Sequence, residues 1–339
     1  MAGEHVKVWD ELVTIGEGVR REPTYADAVA VAAETMRRAR HNVETLIERL
    51  VEMGYRFIPP EEDAQLESLI QREQRRQANG ALGPEERSAL DSSIYKTHER
   101  KPLSPEGQAA MDQLRASLSP EARAVLDVAQ SKPSCGIWAD PDKRAAGRAR
   151  RDTMLSEHKT QLEAKIAARL KEPPLLNPEV FDPPNKQTAT QIKKLEKAAG
   201  GPIPISLRAW YEQVGGVSLN GSHEVINPRG HETAADPLVV SPLRALLEML
   251  DMEKGEDDEI SLWIAPDDLH KANVSGGDPY MIRIPNGGAD AALEYEWHNT
   301  TFVDYLRNTF EWGGFPGWER DKKAPREAIA TLAEGLLPL

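Results

Sequence analysis

Tyr280-Met-Ile-Arg-Ile284, then Asn286-Gly287-Gly288, then Leu293-Glu-Tyr-Glu-Trp297 is the stretch whose reading decides the fold. The two five-residue runs read as strands around a turn region. In the second, Leu293, Tyr295 and Trp297 face one way while Glu294 and Glu296 face the other, because successive side chains of a strand point to opposite sides. Upstream, Ile260, Leu262 and Ile264 alternate as another strand, closed by Ala265-Pro-Asp-Asp268. Val217 and Leu219 make a short one before the turn signal Asn220-Gly221.

Helical patterns alternate with these strands. Thr188-Ala-Thr-Gln191 has the spacing of a capping box and leads into Ile192, Leu195, Ala198 and Ala199, stopped by Gly200-Gly201. Ser206 is placed as an N-cap for the stripe Leu207, Trp210, Tyr211 and Val214. Ser241-Pro242 opens a helix with Leu243, Leu246, Leu247 and Leu250 on one side. Thr301-Phe-Val-Asp304 starts another with Phe302, Leu306 and Phe310 inward, ended at Gly313-Gly314. Hairpin-linked strands interleaved with separate helices predict an α+β fold, a mostly antiparallel sheet flanked by helices.

The chain before this is different in kind. Of the 19 Phe, Trp and Tyr residues of the 339-residue sequence, 12 fall in 191–339, so the large buried area that rings provide is concentrated there. The first 172 residues read almost entirely as helix. Thr24-Tyr-Ala-Asp27 has capping-box spacing, Val43, Leu46, Ile47 and Leu50 follow at helical intervals, and Gly54 supplies a left-handed cap before the extended exit Tyr55-Arg-Phe57. Pro84, Pro105 and Pro120 each mark a helix start with an acid behind it. The basic run Lys143 to Arg151 lacks interleaved aromatic rings, and reads as a solvated helix face pairing with Asp152, Glu157 and Glu163. Pro173-Pro174, Pro178 and Pro183-Pro184 form a stiff stretch. The expected organisation is thus a helical lead-in over 1–60, a helix-rich region over 61–172 and an α+β domain over 173–339.

Composition narrows the function classes. No apolar stretch approaches the roughly 20 residues that span a bilayer, and Met1 to Trp9 carries no secretory pattern. Cys135 is the only cysteine, which excludes an intramolecular disulfide and a cysteine-built zinc site, and predicts a reducing, cytoplasmic setting. The net charge of −13 is uneven: residues 191–339 hold 14 basic and 24 acidic side chains, a net of −10. Such a surface repels phosphate backbones, arguing against a nucleic-acid partner, and attracts a basic protein. The same acidity also serves plain solubility.

Pro204-Ile-Ser-Leu-Arg-Ala-Trp210-Tyr211 with Val214-Gly-Gly216, then Trp263-Ile-Ala-Pro-Asp267, Asp278-Pro-Tyr280, Phe302-Val-Asp-Tyr-Leu-Arg307 and Gly313-Gly-Phe-Pro-Gly317, resembles the SUKH superfamily over roughly residues 185–320. That family includes a yeast regulator of cell-wall synthesis and many bacterial immunity proteins encoded beside secreted toxins. Arg38-Ala-Arg-His-Asn-Val-Glu44 through Gly54-Tyr-Arg-Phe57 resembles a helical lead-in of some bacterial members. The resemblance implies a non-enzymatic immunity or regulatory protein that binds a toxin, often a basic nuclease; no cofactor or metal is expected, since no His, Asp or Cys set has a recognisable metal spacing. The partner-binding residues expected on that basis are the acidic set Glu256, Asp257, Asp258, Glu259, Asp267, Asp268, Glu294 and Glu296, with a merely solvated acidic face as the equal alternative. Trp210 and Trp297, both on apolar stripes, are expected in the core.

Two other classes stay open at this level. One is a scaffold joining two partners through its helical and acidic halves. The other is a metal-dependent hydrolase using His223, His231, His270 and His298 near Asp267, Asp268 and Asp290. No His-Glu-x-x-His spacing and no Gly-x-Ser-x-Gly elbow supports the second.

Overall fold

The structure, a computed structural model, describes residues 2–21, 23–81, 141–228, 235–252, 260–274 and 276–339. The chain divides into one unit made of Met1–Ala64 with Lys165–Leu339, and a second made of Gln65–Ala164. In the first unit α1 (Ala2–Thr14) and α2 (Thr24–Glu52) lead in, and α3 (Pro60–Ala81) and α4 (Pro141–Arg169) supply the described part of the second. After α4 come β1 (Phe181–Asp182), α5 (Thr188–Ala198), α6 (Ile205–Gln213), β2 (Gly216–Ser218), β3 (Val239–Val240) and α7 (Leu243–Met252). The order closes with β4 (Ile260–Ala265), α8 (Asp268–Lys271), β5 (Tyr280–Ile284), α9 (Phe302–Glu311) and α10 (Arg326–Ala333). This is an α+β fold with small antiparallel sheets. The helix starts expected at Pro84, Pro105 and Pro120 lie outside the described residues.

The partition falls at Ala64 and Lys165, not at 60 and 172, and the lead-in is part of the α+β unit itself. The reason is the apolar stripe of α2: Ala32, Met36, Val43, Leu46, Ile47 and Leu50 are buried in the same core as Trp210, Phe302 and Leu306. Polar fastenings add to this. Asn42 exchanges two hydrogen bonds with Leu337, its Nδ2 donating to the carbonyl at 2.8 Å and its Oδ1 accepting from the amide at 2.7 Å. Tyr55 donates to the Leu219 carbonyl at 2.7 Å, and Arg20 to that of Ile203 at 2.6 Å. Gly54 takes the expected left-handed conformation, with φ +82°, and the chain beyond it bridges Arg56 to Ser222.

The proline-rich stretch delivers an edge strand of a sheet. Phe181 pairs with Val217, and Val217 in turn with Val240, giving the antiparallel order β1-β2-β3. A second ribbon pairs β4 with β5, Ile260 opposite Ile284 and Trp263 opposite Met281, with an irregularity between Trp263 and Ala265. Trp210 is a core residue as expected; its ring meets Phe302 edge-on at 5.6 Å, and its indole donates to the Gly215 carbonyl at 2.6 Å. Ser206 lies inside α6, where its hydroxyl donates to Asp290 Oδ1 at 2.6 Å in place of capping the helix.

The strand expected over 293–297 is reduced to one bridge, Met281 to Glu294. Tyr295 has φ +65°, a left-handed conformation that extended strands do not contain, so the pleat breaks there. The alternation reverses beyond it. Leu293 points inward as expected, but Tyr295 is 53% exposed and Glu296 only 1%.

Candidate functional site

Period-two alternation divides the β4–β5 ribbon into two faces. Leu262 and Ile264 from β4, with Tyr280, Ile282 and Ile284 from β5, are buried in the core. The opposite face carries Ser261, Trp263, Met281 and Arg283. Met281 and Glu294 exchange backbone hydrogen bonds of 3.1 and 2.8 Å, so Trp263, Met281 and Glu294 form one row across the surface. Trp263 is 41% exposed, and Arg283 Nε holds Glu294 Oε1 at 2.7 Å beside it. Tyr295 follows Glu294 directly and projects into solvent. Helix α8, which follows β4 in the chain, and its exit carry the exposed Leu269 and Val274.

Of the eight acidic residues expected to share a face, the four that the structure describes are each engaged by an internal partner. Asp267 caps α8, its Oδ1 accepting from the His270 amide at 2.6 Å and lying 3.0 Å from that ring's Nδ1. Gly276 backs onto this carboxylate, where a Cβ would meet both oxygens at 2.5 Å. Asp268 pairs with Arg320 at 2.7 Å, and Glu294 with Arg283. Glu296 leaves the surface altogether: its Oε2 accepts from the His298 amide at 2.9 Å and its Oε1 lies 2.6 Å from the ring Nδ1. Burial without such partners would cost several kcal/mol for a carboxylate, which is why the turn wraps around it. Glu256, Asp257, Asp258 and Glu259 lie outside the described residues.

The histidines and aspartates considered for hydrolysis are engaged in holding the fold. His223 Nδ1 accepts from the Val225 and Ile226 amides, both at 3.2 Å, which leaves Nε2 to donate to the Met53 carbonyl at 3.1 Å. It lines an open depression of about 630 Å³ with Gly54, Arg56, Ser222 and Glu224. The Ser222 hydroxyl there donates to the buried Asp63 at 2.9 Å and is not aligned on the imidazole. Asp290 accepts from Ser206, Ala291 and Val303, and burial raises its pKa above the ordinary 3.8 despite those bonds. His231 lies outside the described residues. Among the described residues no group of three or more His, Cys, Asp or Glu is arranged to hold a metal ion.

A buried polar centre sits behind the ribbon. Lys271, fully buried on α8, donates to Asp236 Oδ1 at 2.5 Å, and the Tyr280 hydroxyl donates to Oδ2 at 3.1 Å. The ammonium also lies 4.7 Å from the Tyr280 ring centre, a cation–π contact. Burial, and then the Asp236 charge, hold the Tyr280 and Tyr305 phenols well above their ordinary range. This centre ties α8 and β5 to the segment leading into β3, and fixes the ribbon from within.

Trp297 is half-buried. Its ring packs on His298 and under the Arg320 guanidinium, which is 4.5 Å from the ring centre. The surface aromatics were partly legible: once Ile260, Leu262 and Ile264 are assigned inward, Trp263 must face out. Tyr295 was not, because its left-handed backbone has no pattern signal in a run that otherwise alternates. No helix among the described residues is long and apolar enough to cross a membrane. No protein-family model, no curated protein and no solved structure matches the chain.

Proposed function

We propose that the chain is a non-enzymatic protein-binding module whose contact surface is centred on the outer face of the β4–β5 ribbon. The observation that carries this reading is the exposed Trp263, cross-strand from the half-buried Met281 on an internally braced ribbon, with the exposed Tyr295 following Glu294 in the same row. Exposed tryptophan and tyrosine on a fixed scaffold are the residues that most often anchor protein interfaces. A five-residue ribbon about 17 Å long and about 10 Å wide is roughly a quarter of the ~800 Å² each partner buries in a stable complex. The ribbon is therefore the centre of a larger footprint that takes in its surroundings.

The partner is a basic protein. Residues 191–339 have a net charge of −10, and complementary charge raises association rates and selects among partners. Together with the resemblance to the SUKH superfamily, this supports an immunity protein that neutralises a basic toxin, nuclease toxins included, in the cytoplasm. Because Asp267, Asp268, Glu294 and Glu296 have internal partners, the attraction is a property of the summed surface charge, and the aromatic row provides the anchor.

The test is capture by full-length protein against Trp263→Ala and Tyr295→Ala variants, at low and high salt. Capture of one basic protein that both substitutions weaken supports the reading. Capture that neither substitution alters removes the ribbon from the interface.

A further inference from the structure

The turn that presents Tyr295 is fastened at one histidine. His298 Nδ1 lies 2.6 Å from Glu296 Oε1, and its Nε2 lies 2.8 Å from Glu319 Oε2. An imidazole donates from both nitrogens only when protonated, so this arrangement fits the imidazolium. Glu296 belongs to the turn itself and is buried. Glu319 belongs to the short 3-10 segment Pro316–Arg320, which the buried Pro316 and Trp318 anchor to the core. From α9, Asn308 Nδ2 donates to Glu319 Oε2 at 3.2 Å and lies 3.0 Å from His298 Nε2, to which it can donate only when that nitrogen is deprotonated. Among the described residues, the other charged or titratable groups at this cluster are Arg320, which lies over Trp297 and pairs with Asp268, and Tyr305, whose phenol feels the Glu296 charge.

We propose that protonated His298 is a latch that locks the Tyr295 turn to the 316–320 segment, and that its deprotonation releases the turn and weakens partner binding at the ribbon face. This rests on the reading of that face as the interface. The chemistry is one proton passing from Nε2 to solvent, which the partly exposed ring can reach. Its lone pair then faces the Glu319 carboxylate, which is repelled and, being partly exposed, turns to water. Asn308 then donates to Nε2, so the neutral ring is not left unsatisfied. Below that point His298 joins the turn to Glu319 of the 316–320 segment; above it that link is lost, while the Glu296 contact, the Asn308 bond and the Arg320–Trp297 stack remain.

The direction of the pH effect follows from the surroundings. Burial lowers the His298 pKa, but the hydrogen bonds to Glu296 and Glu319 and their charges outweigh it, and the net shift is upward from 6.5. A group raised in the folded state contributes stability that is complete below its unfolded value and is lost as pH rises through its folded one. The latch is therefore closed in mildly acidic solution and opens on the alkaline side of 6.5.

The test follows the full-length chain by NMR across the neutral range, reading the His298 ring proton, the Tyr295 signals and amide exchange over 296–299. The expected result is a shared midpoint above 6.5, with loss of exchange protection through it. Glu319→Gln should move the His298 midpoint downward, and His298→Gln should abolish the pH dependence of the turn. A His298 midpoint at or below 6.5 overturns the latch, as do turn signals that stay flat through the titration or keep their pH dependence in His298→Gln. The titration needs no partner. Capture unaffected by Trp263→Ala would sink the interface reading while the titration still decides the latch.

Discussion

Replacing Lys271 by Met tests the brace behind the ribbon. The substitution roughly keeps the volume and removes the ammonium that lies 2.5 Å from Asp236 Oδ1. Both partners are fully buried, so the carboxylate is left in the core with the Tyr280 hydroxyl, at 3.1 Å, as its remaining hydrogen-bond donor among the described residues. Stranding one member of a buried pair costs about 3–5 kcal/mol, roughly two to four powers of ten in the unfolding equilibrium. Adding Asp236→Asn removes the stranded charge, keeps an acceptor for Tyr280, and suits the left-handed backbone at that position, where φ is +52°. The double variant should regain more than half of the loss. Urea unfolding of the full-length protein, read by tryptophan fluorescence, measures both from the shift in midpoint at constant slope. A loss under about 1 kcal/mol in Lys271→Met, or a double variant no more stable than the single, would refute the account of this centre.

Trp263→Ala should weaken partner binding by about 2 kcal/mol or more while changing stability by no more than about 0.5 kcal/mol, as calorimetry and thermal unfolding will show. Trp210→Ala removes a fully buried indole and its bond to Gly215, and should cost about 3–5 kcal/mol in urea unfolding. Asp290 has a raised folded pKa, so its contribution to stability is present below 3.8 and is lost as pH rises through the folded value. The stability of Asp290→Asn relative to the natural chain should accordingly improve as pH rises through that window, in unfolding curves run at successive pH values. A 173–339 fragment lacks α2 and exposes the surface that Met36, Leu46 and Ile47 cover; it should show no cooperative unfolding transition, whereas the full chain should.

The sequence exposed much of the local structure because local structure is what periodicity encodes. The stripes at Ile192–Leu195, Leu207–Trp210 and Phe302–Leu306 form helices, and Ile260-Ser-Leu-Trp-Ile264 pairs with Tyr280-Met-Ile-Arg-Ile284 as alternation requires. What covers a stripe is a different matter. The α2 pattern is the same whether it packs on a separate helical domain or on α6, and its place in the α+β core depends on residues more than 150 positions away, such as Leu219 and Leu337. The acidic surface illustrates the same limit. Charge can be counted from sequence, but Asp268 finds Arg320 across 52 residues, and Glu296 is drawn inward by a turn whose cause is the left-handed Tyr295. A single backbone dihedral exchanged the exposure of an aromatic ring and a carboxylate, and with it the composition of the candidate site.

We propose that the Trp263–Met281 row, with Tyr295 following Glu294, anchors a basic protein partner. The most direct test is capture from native lysate on immobilised full-length protein, comparing the natural chain with a Trp263→Ala, Tyr295→Ala double variant whose thermal unfolding matches it. The account predicts one basic protein, retained by the natural chain, weakened by salt and lost by the double variant. The same protein retained equally by both would contradict it.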